Sequence, residues 1–178
     1  TKVIYREKVQ AVKRTGLLEL AEADPAGMSA IGGLGALKEW ISKRRGVWSP
    51  RAIAYGLSAP KGIMLVGVQG CGKSLCAKAI GTTLEIPTLK LDIGSLLGSL
   101  ISESETRTRD ALKLADALAP CVLWADEIDK GLAGAGGSGN SDGGVIKRVF
   151  GAILTWSQER KKPVFFIATA NDISNIPP

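Results

Sequence analysis

The sequence predicts an α/β fold: a three-layer α/β/α sandwich built on a parallel sheet, with a short helical extension in front of it. Three observations predict it. Runs of strand length, Gly62–Val66, Thr88–Leu91, Cys121–Ala125 and Val164–Ala168, are dominated by apolar residues, as strands covered on both faces are. Stretches of helical length separate these runs, so successive strands need crossovers and pair in parallel. Polar, chemistry-bearing residues fall just after the runs, at the carboxyl edge where such sheets bind ligands.

In chain order, residues Val3 to Leu20 alternate charged and apolar positions at near-helical spacing, which predicts a helix ending near Gly16. Ala21–Met28, containing Asp24-Pro25-Ala26-Gly27, reads as a loop or linker and divides the chain into an extension and linker over 1–28 and a main domain over 29–178. Ile31-Gly32-Gly33-Leu34 is a turn, and Gly35–Arg45 a helix with Leu37, Trp40 and Ile41 on one face. Pro50–Pro60 connects to the first strand, Gly62–Val66, and a helix over Gly72–Leu84 leads through Pro87 to the strand Thr88–Leu91. A loop over Ile93–Ser102 opens a helix from about Glu103 to Ala117, and Pro120 starts the strand Cys121–Ala125. Gly131–Gly144 is glycine-rich and too polar for a packed core; it reads as a mobile loop, with a plain linker and a functional loop as open alternatives. A helix over Val145–Glu159 and the strand from Val164 complete the pattern.

A chain of 178 residues is one domain's worth and buries a real core. No stretch is apolar for the length of a membrane span, so a soluble, non-membrane protein is expected. The first residues, Thr1 to Lys8, lack a secretion signal and an initiator Met, and read as the start of a fragment of a longer chain. Cys71, Cys76 and Cys121 have no metal-ligand spacing and suit a reducing, cytoplasmic compartment. The absence of His excludes imidazole bases and His-ligated metals. The net charge of +6 arises entirely before Gly62, where eleven Lys/Arg face five Asp/Glu. Without aromatic interleaving or a nucleic-acid motif, that excess reads as solvated surface rather than a nucleic-acid site.

The chemistry begins with Gly67-Val68-Gln69-Gly70-Cys71-Gly72-Lys73-Ser74, which fits G-x-x-x-x-G-K-[ST] at every fixed position between a predicted strand and a predicted helix. Its glycines let backbone N–H groups converge on phosphate oxygens, and the helix adds its positive N-terminal end. Lys73 supplies a point charge for β- and γ-phosphates, and Ser74 a hydroxyl for Mg²⁺. The sandwich is therefore expected to be that of a P-loop NTPase. Asp126-Glu127 follows the strand Cys121–Ala125, and the two acids divide the remaining tasks. Asp126 is read as the Mg²⁺ holder and Glu127 as the base that orients and deprotonates the attacking water. Asn171, after the last strand, offers both a donor and an acceptor to that water or to the γ-phosphate. Asp129 is read as a cap of the next turn.

These pieces together resemble the AAA branch of the AAA+ ATPases from about Ile31 to the end of the chain. The resemblance implies the large subdomain of that fold, ATP as the nucleotide, Mg²⁺ as cofactor, and a homo-oligomeric ring acting on a protein partner that the sequence does not identify. It assigns Ile31, Gly32 and Gly33 to the adenine pocket, with Ala30 where the family usually has an acid, and it extends the nucleotide contacts from Gly67 through Leu75. Gly67–Ser74 matches Walker A, Cys121–Glu127 Walker B, and Asn171 sensor 1. Leu100 and Ile101 fall in the first pore loop, with Leu100 where the family usually carries an aromatic residue, and Arg148 falls on a helix that carries interface residues. Gly-Val-Gln-Gly-Cys-Gly-Lys-Ser-Leu, Ala-Pro-Cys-Val-Leu-Trp-Ala-Asp-Glu-Ile-Asp-Lys and Arg-Val-Phe-Gly-Ala-Ile-Leu-Thr-Trp more closely resemble AAA proteins of cyanobacteria and algal plastids, implying cytoplasm or plastid stroma.

The chain stops at Pro178, before the family's arginine fingers, final strand and helical lid, so slow turnover is expected of it alone. A nucleotide-dependent switch or scaffold with little turnover is the alternative reading. A small-molecule P-loop kinase ranks third, because no Arg-rich lid or acceptor pocket is visible.

Overall fold

The computed structural model describes residues 12, 14–97, 101–133 and 142–174. Its strands are β1 (Glu19–Leu20), β2 (Gly62–Val66), β3 (Thr88–Leu91), β4 (Cys121–Ala125) and β5 (Val164–Ala170). The helices are α1 (Gly35–Ser42), α2 (Pro50–Ala54), α3 (Lys73–Leu84), α4 (Ile93–Leu97), α5 (Ile101–Ala117), α6 (Ile128–Ala133) and α7 (Asp142–Glu159), and a 3₁₀ turn at Gly27–Ala30 precedes α1. The sheet runs β1-β3-β4-β5-β2, with β2–β5, β5–β4 and β4–β3 parallel. Helices cover both faces, so the predicted layers are present, but β1 makes the sheet mixed by pairing antiparallel with β3.

Residue alternation along the strands divides the core into two packed layers. Cys121, Leu123 and Ala125 of β4, with Val164, Ala168 and Ala170 of β5, face a cluster containing Leu112 and Ala115 of α5 and Val149 and Ile153 of α7. Val122 and Trp124, with Phe165 and Ile167, face the opposite cluster, built with Ile41 of α1 and Ala77 and Ile80 of α3. Phe165 is fully buried, its ring 6.1 Å from those of Trp40 and Trp48. Helix α3 lies unusually close to β3 at Gly81, where a Cβ would stand 1.8 Å from Thr88 Oγ1.

Several elements differ from the sequence expectation, each for a local reason. The expected N-terminal helix lies mostly outside the described residues, but Val12, Arg14 and Thr15 are helical and the turn closes where expected, at Gly16 (φ 61°), with Gly16 N–H donating to Val12 O at 3.3 Å. Beyond it, Glu19 and Leu20 form β1, set opposite Lys90 and Leu89. Two residues are too few to display a strand period, and the opposite charges of Glu19 and Lys90 favour the pairing. Val12, Leu18 and Met28 are buried in the two clusters, which ties the segment before Ser29 to the same body. Part of the expected connector before β2 is the short helix α2, started by Pro50, whose fixed φ suits a first helical turn. Part of the expected loop after β3 is α4, because Ile93 and Leu96 have a core to enter. The glycine-rich segment is shorter than expected, with α6 reaching Ala133 and α7 starting at Asp142; residues 134–141 lie outside the described residues.

Among the described residues β2 is an outer strand, and Met64 and Val66 are 45% and 49% exposed. Phe165→Ala is expected to destabilise the fold by about 3–5 kcal/mol, the usual cost of truncating a buried aromatic residue, with Phe165→Leu clearly milder. Denaturant midpoints at unchanged slope measure this.

Candidate functional site

Parallel pairing brings the loop after β2, the acids after β4 and Asn171 after β5 to one edge. The loop is set by left-handed backbone at Gly70 (φ 80°) and Gly72 (φ 87°), the latter capping α3. Side-chain-bearing residues reach this region only at a cost of roughly 1–2 kcal/mol, which is the physical content of two of the motif's glycines. The resulting cleft holds about 270 Å³ and is lined by Gln69, Gly70, Gly72, Lys73, Ser74, Leu75, Asp126, Glu127 and Asn171.

Within it the polar groups are interlocked. The Lys73 ammonium donates to Gly67 O at 2.6 Å, Val68 O at 2.9 Å and Asn171 Oδ1 at 2.9 Å. The Ser74 hydroxyl donates to Asp126 Oδ1 at 3.3 Å. The Thr169 hydroxyl donates to the same oxygen at 2.7 Å and accepts the Glu127 N–H at 2.9 Å. Lys90 Nζ stands 3.7 Å from Asp126 Oδ2 and 5.2 Å from the Trp124 ring centre, and Lys130 Nζ 2.6 Å from Glu127 Oε2. The hydrogen bond to Glu127 raises Lys130 above the ordinary lysine value, so this partner stays charged at neutral pH. Glu127 has φ 50°, a conformation that costs a non-glycine residue about 1–3 kcal/mol and persists where surrounding contacts over-determine it. After Asn171, the Asp172 carboxylate accepts from Ser174 Oγ at 2.7 Å and Ser174 N at 2.9 Å, bonds that hold it below the usual carboxylate range and brace the turn.

Ser74 and Asp126 present hard oxygen donors side by side, the donor chemistry of Mg²⁺. Among the described residues no cluster of three or more His, Cys, Asp or Glu side chains could cage a metal.

The other sequence candidates lie elsewhere. Ile31 is buried against Met28 and Ile80, and Ile31, Gly32 and Gly33 do not line the cleft. Arg148 pairs with Glu105 at 3.5 Å in a separate groove of about 440 Å³ between α5 and α7. Leu100 lies outside the described residues, and Ile101 begins α5. Sequence reasoning missed Thr169, Lys90 and Lys130. A hydroxyl in an otherwise apolar strand, a charge between Leu89 and Leu91, and a lysine one helical turn after Glu127 were the available signals.

Residues 63–178 match the family described as ATPase family associated with various cellular activities (AAA). The chain belongs to the AAA family. It is 47% identical over 99% of its length to a protein of Guillardia theta, 45% over 98% to one of Pyropia yezoensis and 42% over 98% to one of Trieres chinensis. Each of these carries the name uncharacterized AAA domain-containing protein ycf46. The chain spans about a third of the length of these curated relatives. Both the AAA resemblance and the narrower likeness to algal plastid proteins, expected from the motifs, are borne out. Membership in the AAA family implies nucleotide binding and ATPase activity. Among the described residues no helix is long and apolar enough to cross a membrane.

Gly72→Ala is expected to lower stability by about 1–2 kcal/mol through its left-handed backbone and to weaken nucleotide binding. Paired denaturation and nucleotide-titration curves check both effects.

Proposed function

We propose that this AAA module binds Mg-ATP in the cleft of Lys73, Asp126, Glu127 and Asn171, and hydrolyses it within a homo-oligomer that couples turnover to remodelling a protein partner. The observation that supports it best is the convergence of a phosphate-loop lysine, a hydroxyl–carboxylate pair and an amide at the ends of three adjacent strands.

The loop N–H groups and Lys73 bind the β- and γ-phosphates, the ammonium exchanging its loop carbonyls for phosphate oxygens. Asn171 stays bonded to that ammonium and aligns it with the attacking water. Ser74 and Asp126 would hold Mg²⁺, whose contribution is to neutralise charge on the phosphate oxygens. Glu127 takes the proton of the water as its oxygen bonds to the γ-phosphorus and the bond to the bridging oxygen breaks, releasing ADP. An arginine from the adjacent subunit completes the site; such a residue is worth roughly 10³–10⁵ in rate in GTPases. Ile31–Gly33 serves the adenine, and Leu100, Ile101 and Arg148 serve the pore and the subunit interface. The division at residue 28 separates extension from module, and the basic first third is solvated surface. The compartment is cytoplasm or plastid stroma.

The second reading, a nucleotide-dependent switch with little turnover, is favoured by the 2.6 Å ion pair that holds Glu127 to Lys130. It predicts oligomer size that follows ATP binding without stimulation by unfolded polypeptide.

This chain alone is expected to bind ATP clearly and to hydrolyse it slowly, as filter binding and phosphate release measured across protein concentration check. A fast rate, flat across concentration, would remove the shared-site reading. Glu127→Gln is expected to retain ATP binding and lose hydrolysis, and Lys73→Ala to lose both; filter binding and phosphate release on the same samples decide it.

A further inference from the structure

The Thr169 side chain has no assigned part in the proposed reaction, yet it touches both acids. It is fully buried in β5, and Asn171 follows directly after that strand. The direction of its bonds is forced. A backbone N–H can only donate, so the hydroxyl oxygen accepts from Glu127 at 2.9 Å; a carboxylate can only accept, so the hydroxyl proton goes to Asp126 Oδ1 at 2.7 Å. The one hydroxyl group thus fixes the Asp126 oxygen that faces Ser74 and pins the backbone of Glu127 where its φ is 50°.

We infer that Thr169 is a positioning residue: its hydroxyl sets the carboxylate of Asp126 for Mg²⁺ and the backbone of Glu127 for water activation, linking both to the strand that leads into Asn171. The inference deepens the proposed ATPase reading and rests on it. A bridging hydroxyl of this kind belongs to the set of outer contacts that orient metal-holding carboxylates, whose loss typically costs 10–100-fold in metal affinity or activity. Asn171 bonds Lys73 at 2.9 Å from the turn that leaves the same strand, so any movement of the β5 end on nucleotide binding reaches the lysine and the two acids together.

The test uses the full-length protein with Thr169→Val, which keeps the shape of the side chain and deletes the hydroxyl, and Thr169→Ser, which restores it. Thr169→Ala is the second deletion variant should the valine protein not fold. A fluorescent ATP analogue is titrated without Mg²⁺, then at fixed nucleotide with increasing Mg²⁺, and kcat and KM are measured in parallel. The deletion variant is expected to bind nucleotide without Mg²⁺ within about twofold of the parent, while the half-saturating Mg²⁺ rises and kcat falls by about 10–100-fold each. The serine variant recovers both. An unchanged Mg²⁺ dependence together with an unchanged kcat overturns the inference, as does a serine variant as impaired as the valine one. Glu127→Gln is run alongside. If it hydrolyses ATP normally, the choice of base fails, whereas a shifted Mg²⁺ dependence in Thr169→Val still upholds the hold on Asp126 and an unshifted one still overturns it.

Discussion

Parallel pairing of β5 with β2 on one side and β4 on the other is the constraint on which the site depends. Register sets Met64 and Ala125 opposite the same Ala168, so the chain leaves β2, β4 and β5 at nearly one level. The phosphate loop, the acid pair and Asn171 are separated by tens of residues in sequence and meet because three strands end together. Two buried layers hold that register, since a one-residue slip of β5 would exchange Phe165 and Ile167 with Val164 and Phe166 between the two faces.

Charge is distributed across this edge with care. Asp126 and Glu127 each face an ammonium, Lys90 from β3 and Lys130 from α6, while Lys73 is spread over two carbonyls and an amide. Two adjacent carboxylates beside a polyphosphate would repel it, and the flanking lysines offset that repulsion. The same arrangement holds the Glu127 carboxylate beside Lys130.

Much of this was legible in the sequence because it rests on local or periodic signals. The phosphate loop is contiguous, and four of the five strands read as apolar runs, β2, β3 and β4 with their observed limits. What was illegible depends on partners distant in the chain. Glu19–Leu20 becomes a strand only because β3 offers an edge. Thr169 looks like a tolerated hydroxyl in an apolar run until β4 is laid beside it and its two bonds to the acid pair appear. Ile93–Leu97 has no helical signal of its own in the sequence, because what makes it a helix is the burial of Ile93 and Leu96.

The position of β2 has a consequence for how the protein behaves in solution. Among the described residues the strand that leads into the phosphate loop pairs on one side, with β5, its five residues carry no charge, and Met64 and Val66 are partly exposed. Such an edge is a ready template for strand addition by another chain, which proteins usually blunt with lysine, proline or a bulge. A further strand added at that edge would satisfy the backbone groups of β2 that β5 does not reach.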